Sequence, residues 1–304
     1  MIGEGRLREV LADRWGLRGP AIEVHNGGMN SATWFVTARG ERWVAKAVVP
    51  AAWRAFTGGL AVATAVERSG IPAGAPRPTR DGGLAVDVEG VPLALLTWVP
   101  GEETADQRLI GSTLARVHRA LQDVSMSDAD QFHWLHPHAR HLRVRPWLRA
   151  AVAAAVADYE RLGPGTLSRG LLHTDPAPEA FRVDRRRNVC GVIDWSTAMV
   201  GPLLYDLASA VMYAGGLDRS GPLIEAYLAR GPVPRAEAGR ALGVMLRFRW
   251  AVQADYFARR IANHDLTGID GPAENERGLA DAHAGLTGQH RLSARRQHRP
   301  GDVR

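Results

Sequence analysis

The chain has 304 residues, of which 45% are hydrophobic and 23% charged, ordinary values for a soluble globular protein with room for one large domain or two lobes. Its longest near-apolar runs, at 91–100 and 150–157, are too short to span a bilayer, and its single cysteine, Cys190, excludes an internal disulfide or a multi-cysteine metal site. The formal charge of +6 comes from scattered arginines apart from 185–187 and the stretch RLSARRQHRPGDVR, so we read a solvated surface with a basic tail rather than nucleic-acid binding.

The N-terminal stretch MIGEGRLREVLADRW carries acidic residues and no apolar signal-peptide core, which leads us to expect a cytoplasmic protein. Within it, Leu7, Val10, Leu11 and Trp15 have the spacing of an amphipathic helix. Residues 21–49 then read as three short strands, AIEVHN, SATWFVTA and RWVAKAVV, separated by turns at Gly27-Gly28-Met29-Asn30 and Arg39-Gly40-Glu41. Residues 51–68 read as a helix, 72–83 as a Pro/Gly-rich loop, and 84–88 with 92–99 as a final strand pair.

After Pro100-Gly101 the pattern becomes helical, over 105–121 and over the alanine-rich 147–162. Short strands and loops are expected over 171–195, and mostly helix from 202 to about 284. In that last region Leu242, Met245, Phe248, Val252, Tyr256 and Ile261 form a helical stripe. The expected fold is α+β and bilobal. A β-rich lobe spans 1–98, a linker 99–103, a helical lobe 104–290 and a basic, disordered tail 291–304. Clefts between such lobes are where ligands usually bind.

Four features along the chain suit phosphoryl transfer. The turn holding Gly27, Gly28, Asn30 and Ser31 lets backbone N–H groups approach phosphates, although a hairpin turn needs glycines as often. Lys46 is the only lysine, and it lies in a strand between apolar neighbours, where it is costly to bury unless paired. Nucleotide phosphates would supply partners, and Glu67 on the next helix would hold the ammonium. In Leu171-Leu172-His173-Thr174-Asp175-Pro176 an apolar strand runs into a polar loop, placing Asp175 to orient an attacking hydroxyl and take its proton. In Gly191-Val192-Ile193-Asp194-Trp195 a second buried run delivers another carboxylate, and magnesium is commonly held by one or two carboxylates plus phosphates.

HTDPAPEAF followed by GVIDWSTAMVGPLLYDLASA resembles the catalytic segment of the aminoglycoside-phosphotransferase and choline-kinase-like superfamily, with its protein-kinase-like fold. There the pattern is His-Gly-Asp-Leu-His-Pro-Gly-Asn, then Ile-Asp-Trp, then Tyr-Asp-Leu-Ala. The resemblance implies ATP and Mg²⁺ as cofactors, Asp175 as catalytic base, and His173 as the residue supporting its loop. It further implies Asp194 as a magnesium ligand and Asp206 as the tie that holds the loop from the following helix. It also implies Lys46 on the α/β-phosphates, Glu67 paired with Lys46, and the backbone of Thr97, Trp98 and Val99 receiving adenine.

One departure stands out: where the family has a metal-binding asparagine, this chain has Ala180. Glu179 or water takes over that site, the enzyme uses one ion, or the protein is a catalytically impaired pseudokinase acting as a binding module. Thr174 and Pro176 also replace the usual Gly and Leu. For the acceptor, arginines at least as numerous as acids after Trp195 argue against a strongly cationic molecule. A small-molecule alcohol and a Ser/Thr hydroxyl of a precursor peptide, the latter with a partner protein, are both expected; nucleic acid and membrane are not. His133, His136, His138 and His141 have no metal-ligand spacing and read as surface or core histidines.

Overall fold

A computed structural model describes residues 2–25, 31–125, 130–132 and 135–288. The chain begins with α1 (Glu4–Trp15), which buries Leu7, Val10, Leu11 and Trp15 on one stripe, as their spacing predicts. The next elements are β1 (Ala21–His25), β2 (Ser31–Ala38), β3 (Glu41–Val48), α2 (Trp53–Arg68), β4 (Val86–Val88) and β5 (Val91–Thr97). The strands form one antiparallel sheet in the order β1-β2-β3-β5-β4. Arg39 and Gly40, at φ 54° and 80°, close the β2–β3 turn in the left-handed conformation that matches strand twist.

Strand alternation splits the sheet into two faces. Trp34, Val36, Ala45, Ala47, Leu93 and Leu95 pack with the α1 stripe in one core. On the opposite face, Thr33 pairs Lys46 and Lys46 pairs Ala94, so the lysine shares its face with Phe35 and Val44. Here α2 covers part of the sheet through Phe56 and Leu60. Further along, its Val62, Ala63 and Val66 belong to the large core of the helical region. One helix therefore joins the two halves of the molecule.

The helical region comprises β6 (Glu102–Glu103), α3 (Gln107–Ala120), β7 (Asp130–Gln131), α4 (Leu148–Arg161), β8 (Arg169–Leu172), β9 (Phe181–Asp184), β10 (Val189–Val192) and β11 (Met199–Pro202). It closes with α5 (Leu204–Tyr213), α6 (Gly221–Arg230), α7 (Arg235–Ala262) and α8 (Pro272–Thr287). Two small sheets, β10-β9-β6 and β7-β11-β8, carry the loops of interest. The end of the expected linker is thus a strand, because Glu102 and Glu103 pair with Val183 and Arg182 of β9. The expected tail and the turn with Gly27, Gly28 and Asn30 lie outside the described residues.

α7 is about 42 Å long at 1.5 Å per residue. It is the axis of the large core: Phe248 touches the rings of Phe132, Tyr159 and Tyr205 at centroid distances of 5.3, 4.7 and 6.4 Å. Of the predicted stripe, Leu242, Met245, Phe248 and Val252 are buried, with Tyr256 and Ile261 at its edge. α3 and α6 approach closely at Gly111, where an added Cβ would lie 2.2 Å from the Leu223 carbonyl. Among the described residues, no helix is long and apolar enough to cross a membrane.

Candidate active site

The loop after β8 is shaped by a buried carboxylate. Asp206, on the first turn of α5 and fully buried, accepts the backbone N–H groups of His173 and Thr174, each at 2.7 Å. Its Oδ2 also meets His118 Nε2 at 3.0 Å, and His118 Nδ1 meets the Tyr227 hydroxyl at 2.7 Å. A carboxylate is an acceptor only, so three donors converging on it satisfy it without water. Burial holds the Tyr227 phenol well above its ordinary value, so it remains a donor toward His118.

Thr174 sits at φ 75°, a conformation costly for a β-branched residue and free for the glycine usual in the resembling family. Its hydroxyl offsets part of that cost by donating to Thr197 Oγ1 at 2.8 Å. His173 Nδ1 accepts the Asp175 N–H at 3.3 Å, which leaves Nε2–H to donate to the Ile193 carbonyl at 2.8 Å. One imidazole therefore ties the Asp175 loop to the segment that carries Asp194.

Asp175 emerges with its side chain about half exposed. Its Oδ1 accepts from the Tyr213 hydroxyl at 2.6 Å and from Arg249 Nη2 at 2.9 Å. Arg249 is buried and is oriented by a bond from its Nε to Ser209 Oγ at 3.0 Å. Burial alone would lower the Arg249 pKa, but Tyr205, Tyr213 and Asp175 raise it above the ordinary value. Burial, reinforced by the Asp175 charge, holds the Tyr213 phenol well above its own, so it stays a hydrogen-bond donor.

Lys46 reaches across from β3. Its Nζ meets Asp194 Oδ1 at 2.5 Å and Ser196 Oγ at 3.3 Å, and the Ser196 hydroxyl donates to the same carboxylate oxygen at 2.6 Å. Surrounding protein pushes the Asp194 carboxyl up, yet Lys46 and then Ser196 outweigh this and hold it well below the usual carboxylate range. The carboxylate is therefore ionised at neutral pH. Gly59 makes this approach of α2 to the site feasible, since an added Cβ there would lie 1.9 Å from the Trp195 carbonyl oxygen.

The expected ion pair between Glu67 and Lys46 is not the one formed. Glu67 lies in the last turn of α2, away from the part of the helix that packs on the Asp194 segment. Its Oε2 accepts the N–H groups of Ala73 and Ala75, at 3.2 and 3.0 Å, and the Thr97 hydroxyl. The Thr97 N–H is given to the Ala75 carbonyl at 2.9 Å, so that amide is not free for a base. Of that trio, Val99 is buried, and Trp98 carries Arg42 over its ring at 4.0 Å with Phe35 edge-on at 5.3 Å. Ser31 opens β2 and is half-buried.

Ala180 is buried in the large core and its carbonyl accepts the Ile193 N–H at 2.8 Å, whereas neighbouring Glu179 is exposed. Among the described residues no group of three or more His, Cys, Asp and Glu is arranged to hold a metal. One ionised aspartate beside an open cleft nevertheless fits Mg²⁺, which usually takes one or two carboxylates together with phosphates and water.

A pocket of 210 Å³ lies beside Asp175, between the start of α3, the end of α5 and the loop at Pro176 and Pro178. A larger hollow of 480 Å³, lined by Arg140, Arg143 and Arg259, lies at the far end of α7, about 15 Å along the helix from Arg249. It shares no residue with the Asp175 site. Sequence reasoning missed His118, Tyr213 and Ser196 and counted Arg249 only among the arginines that argue against a strongly cationic acceptor. The signal for His118 was a histidine on the apolar stripe of Ile110, Leu114 and Val117; Tyr213 and Arg249 converge only through the packing of α5 on α7.

The profile of the Phosphotransferase enzyme family matches residues 21–242. The homoserine kinase of Methylocella silvestris is 30% identical over 210 residues, covering 60% of this chain and 64% of that protein. The chain thus spans somewhat under two thirds of that relative's length. Among solved structures, the amicoumacin kinase in complex with AMP-PNP, Ca²⁺ and Ami superposes at a TM-score of 0.74, 12% identity and 94% coverage of each chain. A microcompartment-associated aminopropanol kinase superposes at 0.70, with 17% identity, 93% of this chain and 95% of that one. The fold is therefore the bilobal kinase-like one.

Proposed function

Because the chain belongs to the Phosphotransferase enzyme family, we propose that it transfers the γ-phosphoryl group of ATP to a hydroxyl of a small molecule. The observation that carries this reading is a pair of carboxylates on two loops tied together by His173: Asp175 clamped by Tyr213 and Arg249, and Asp194 paired with Lys46 from the opposite half of the chain.

In this reading the acceptor hydroxyl lies against Asp175 Oδ2, the oxygen left open by the clamp on Oδ1. As the acceptor oxygen bonds to phosphorus and the bond to ADP breaks, the hydroxyl proton passes to Asp175. Lys46 exchanges Asp194 for the α/β-phosphates, His173 keeps the two loops in register, and Asp206 holds the amides of 173 and 174. Arg249, already bound to Asp175, places a fixed positive charge beside the transferred group, where developing charge is best stabilised. Asp194, with Glu179 at the cleft edge, would hold Mg²⁺, which supplies neutralisation of phosphate charge. The base lies on the sheet face of Val44 and Phe35, with the Trp98 and Val99 backbone at its edge.

The small-molecule acceptor is supported by the relatives' names, which specify homoserine and aminopropanol. L-Homoserine is accordingly the first acceptor to test. Coupled measurement of ADP release with Mg-ATP should show acceptor-dependent turnover with at least one short-chain alcohol. Nucleotide binding without turnover on any alcohol or peptide would instead favour a binding module, a reading that the buried Ala180 in the asparagine position keeps in play.

A further inference from the structure

Ser196 lies between two fixed neighbours, Trp195 and Thr197. The buried Trp195 donates its Nε1–H to the Val192 carbonyl at 2.8 Å, and Thr197 Oγ1 receives the Thr174 hydroxyl at 2.8 Å. α2 presses on the same segment, since an added Cβ at Gly59 would lie 3.1 Å from the Ser196 Cα. The Ser196 hydroxyl is thereby held 2.6 Å from Asp194 Oδ1. Asp194 itself sits at φ 70°, a left-handed backbone that persists where the surroundings impose it and that clusters at functional sites.

Three atoms meet at this point. Lys46 Nζ is 2.5 Å from Asp194 Oδ1 and 3.3 Å from Ser196 Oγ, so both oxygens face one positive charge. When that ammonium moves to the nucleotide phosphates, an ionised carboxylate and a hydroxyl are left beside each other without their cation. Two neighbouring oxygens of an octahedral Mg²⁺, each at about 2.0–2.1 Å, lie about 2.9 Å apart. The Asp194–Ser196 separation is close to that, so the pair needs little movement to take one ion. A Ser or Thr hydroxyl is an ordinary magnesium ligand in P-loop NTPases. Position 180 offers no such oxygen, because Ala180 is buried and its carbonyl is taken by the Ile193 N–H.

We propose that Ser196 Oγ is a direct ligand of the divalent cation at Asp194, supplying a neutral oxygen that Ala180 cannot. Lys46 occupies the same two oxygens in the empty cleft, so the lysine and the cation succeed each other on one pair of ligands. The alternative role for Ser196, orienting the carboxylate through a hydrogen bond, uses the same position but places no bond between its oxygen and the ion.

The inference rests on the phosphotransferase reading, and its test separates the two. Manganese binding to the full chain in the presence of AMP-PNP would be followed by electron paramagnetic resonance, on the wild type, Ser196→Ala and Ser196→Cys. Ser196→Ala should bind Mn²⁺ about tenfold or more weakly, and unchanged affinity would overturn the proposal. An orienting residue also gives that loss, so the decisive variant is Ser196→Cys, which replaces the hydroxyl oxygen by a soft sulfur. As a direct ligand it should shift the preference for Cd²⁺ over Mn²⁺ by about tenfold or more relative to the wild type, with a nucleotide-dependent thiolate-to-cadmium absorption band. The wild type, which keeps the buried Cys190, is the control for sulfur elsewhere. An unshifted preference in Ser196→Cys would overturn the proposal, with thermal unfolding midpoints as the check on folding. A cadmium shift without turnover on any acceptor keeps the ligand and sinks phosphoryl transfer. No nucleotide-dependent metal binding by the wild type sinks both.

Discussion

Asp175 and Asp194 come from neighbouring loops of the helical region, yet they are held in opposite ways. Asp175 is clamped from within that region by Tyr213 and a buried Arg249, whose own Nε is bound to Ser209. Asp194 is held from outside it, by Lys46 on the sheet, so its main cationic partner belongs to the other half of the molecule. The clamp is part of a packed core and has no reason to change partners. The Lys46 pair closes an open cleft, and its members are free to trade each other for a nucleotide and its cation. A fixed base beside an exchangeable charge pair is what positioning catalysis requires.

The strongest way to break the fixed half is to remove its buried anchor. Asp206→Ala would orphan two buried amides and strand His118, and should cost about 3–5 kcal/mol in urea unfolding. A loss within the range of ordinary surface substitutions would mean that the loop is held by something else. On the exchangeable half, Mg-ATP at about 100 times its Kd should stabilise the wild type by about 2.7 kcal/mol and leave Lys46→Ala nearly unmoved. Equal stabilisation of both would take Lys46 out of the nucleotide site.

Raising the pH sharpens the contrast further. Tyr205, Tyr213 and Tyr227 are held above the ordinary phenol value by burial. Their neutral form is favoured by folding, so the associated stability is fully present below the unfolded value near 10 and declines above it. Thermal unfolding midpoints should therefore fall between pH 10 and 12, and the fall should be shallower in Tyr213→Phe. The smallest expected effect is at Thr174. Thr174→Gly relieves the left-handed backbone but loses the bond to Thr197, so stability should change by less than about 1 kcal/mol. Thr174→Val keeps the strain and loses the bond, and should cost about 1–3 kcal/mol.

Much of this was legible in the sequence because it is local. The α1 stripe, the three leading strands and the α7 stripe follow from periodicity, and they form where the pattern predicts. Asp175 and Asp194 were likewise readable, since each follows a short apolar run, whereas His173 and Asp206 took their meaning from the family resemblance. What was not legible depends on packing between distant segments. Glu67 has the right type and lies on the right helix, but at its last turn, where the loop amides of Ala73 and Ala75 claim it. The Thr97 amide is spent on Ala75, a contact that strand pattern alone does not reveal. Arg249 and Tyr213 join Asp175 only because α7 packs on α5. The short β11 over 199–202 was hidden in a stretch with no alternation to mark it.

The most direct test of the central claim is phosphoryl transfer from Mg-ATP to L-homoserine and the short amino alcohols by wild type and Asp175→Asn, with nucleotide binding measured on both. The account predicts turnover by the wild type, a loss of about 10²–10⁴-fold in kcat for Asp175→Asn, and nucleotide affinity unchanged by the substitution. Equal turnover by the two proteins would contradict it.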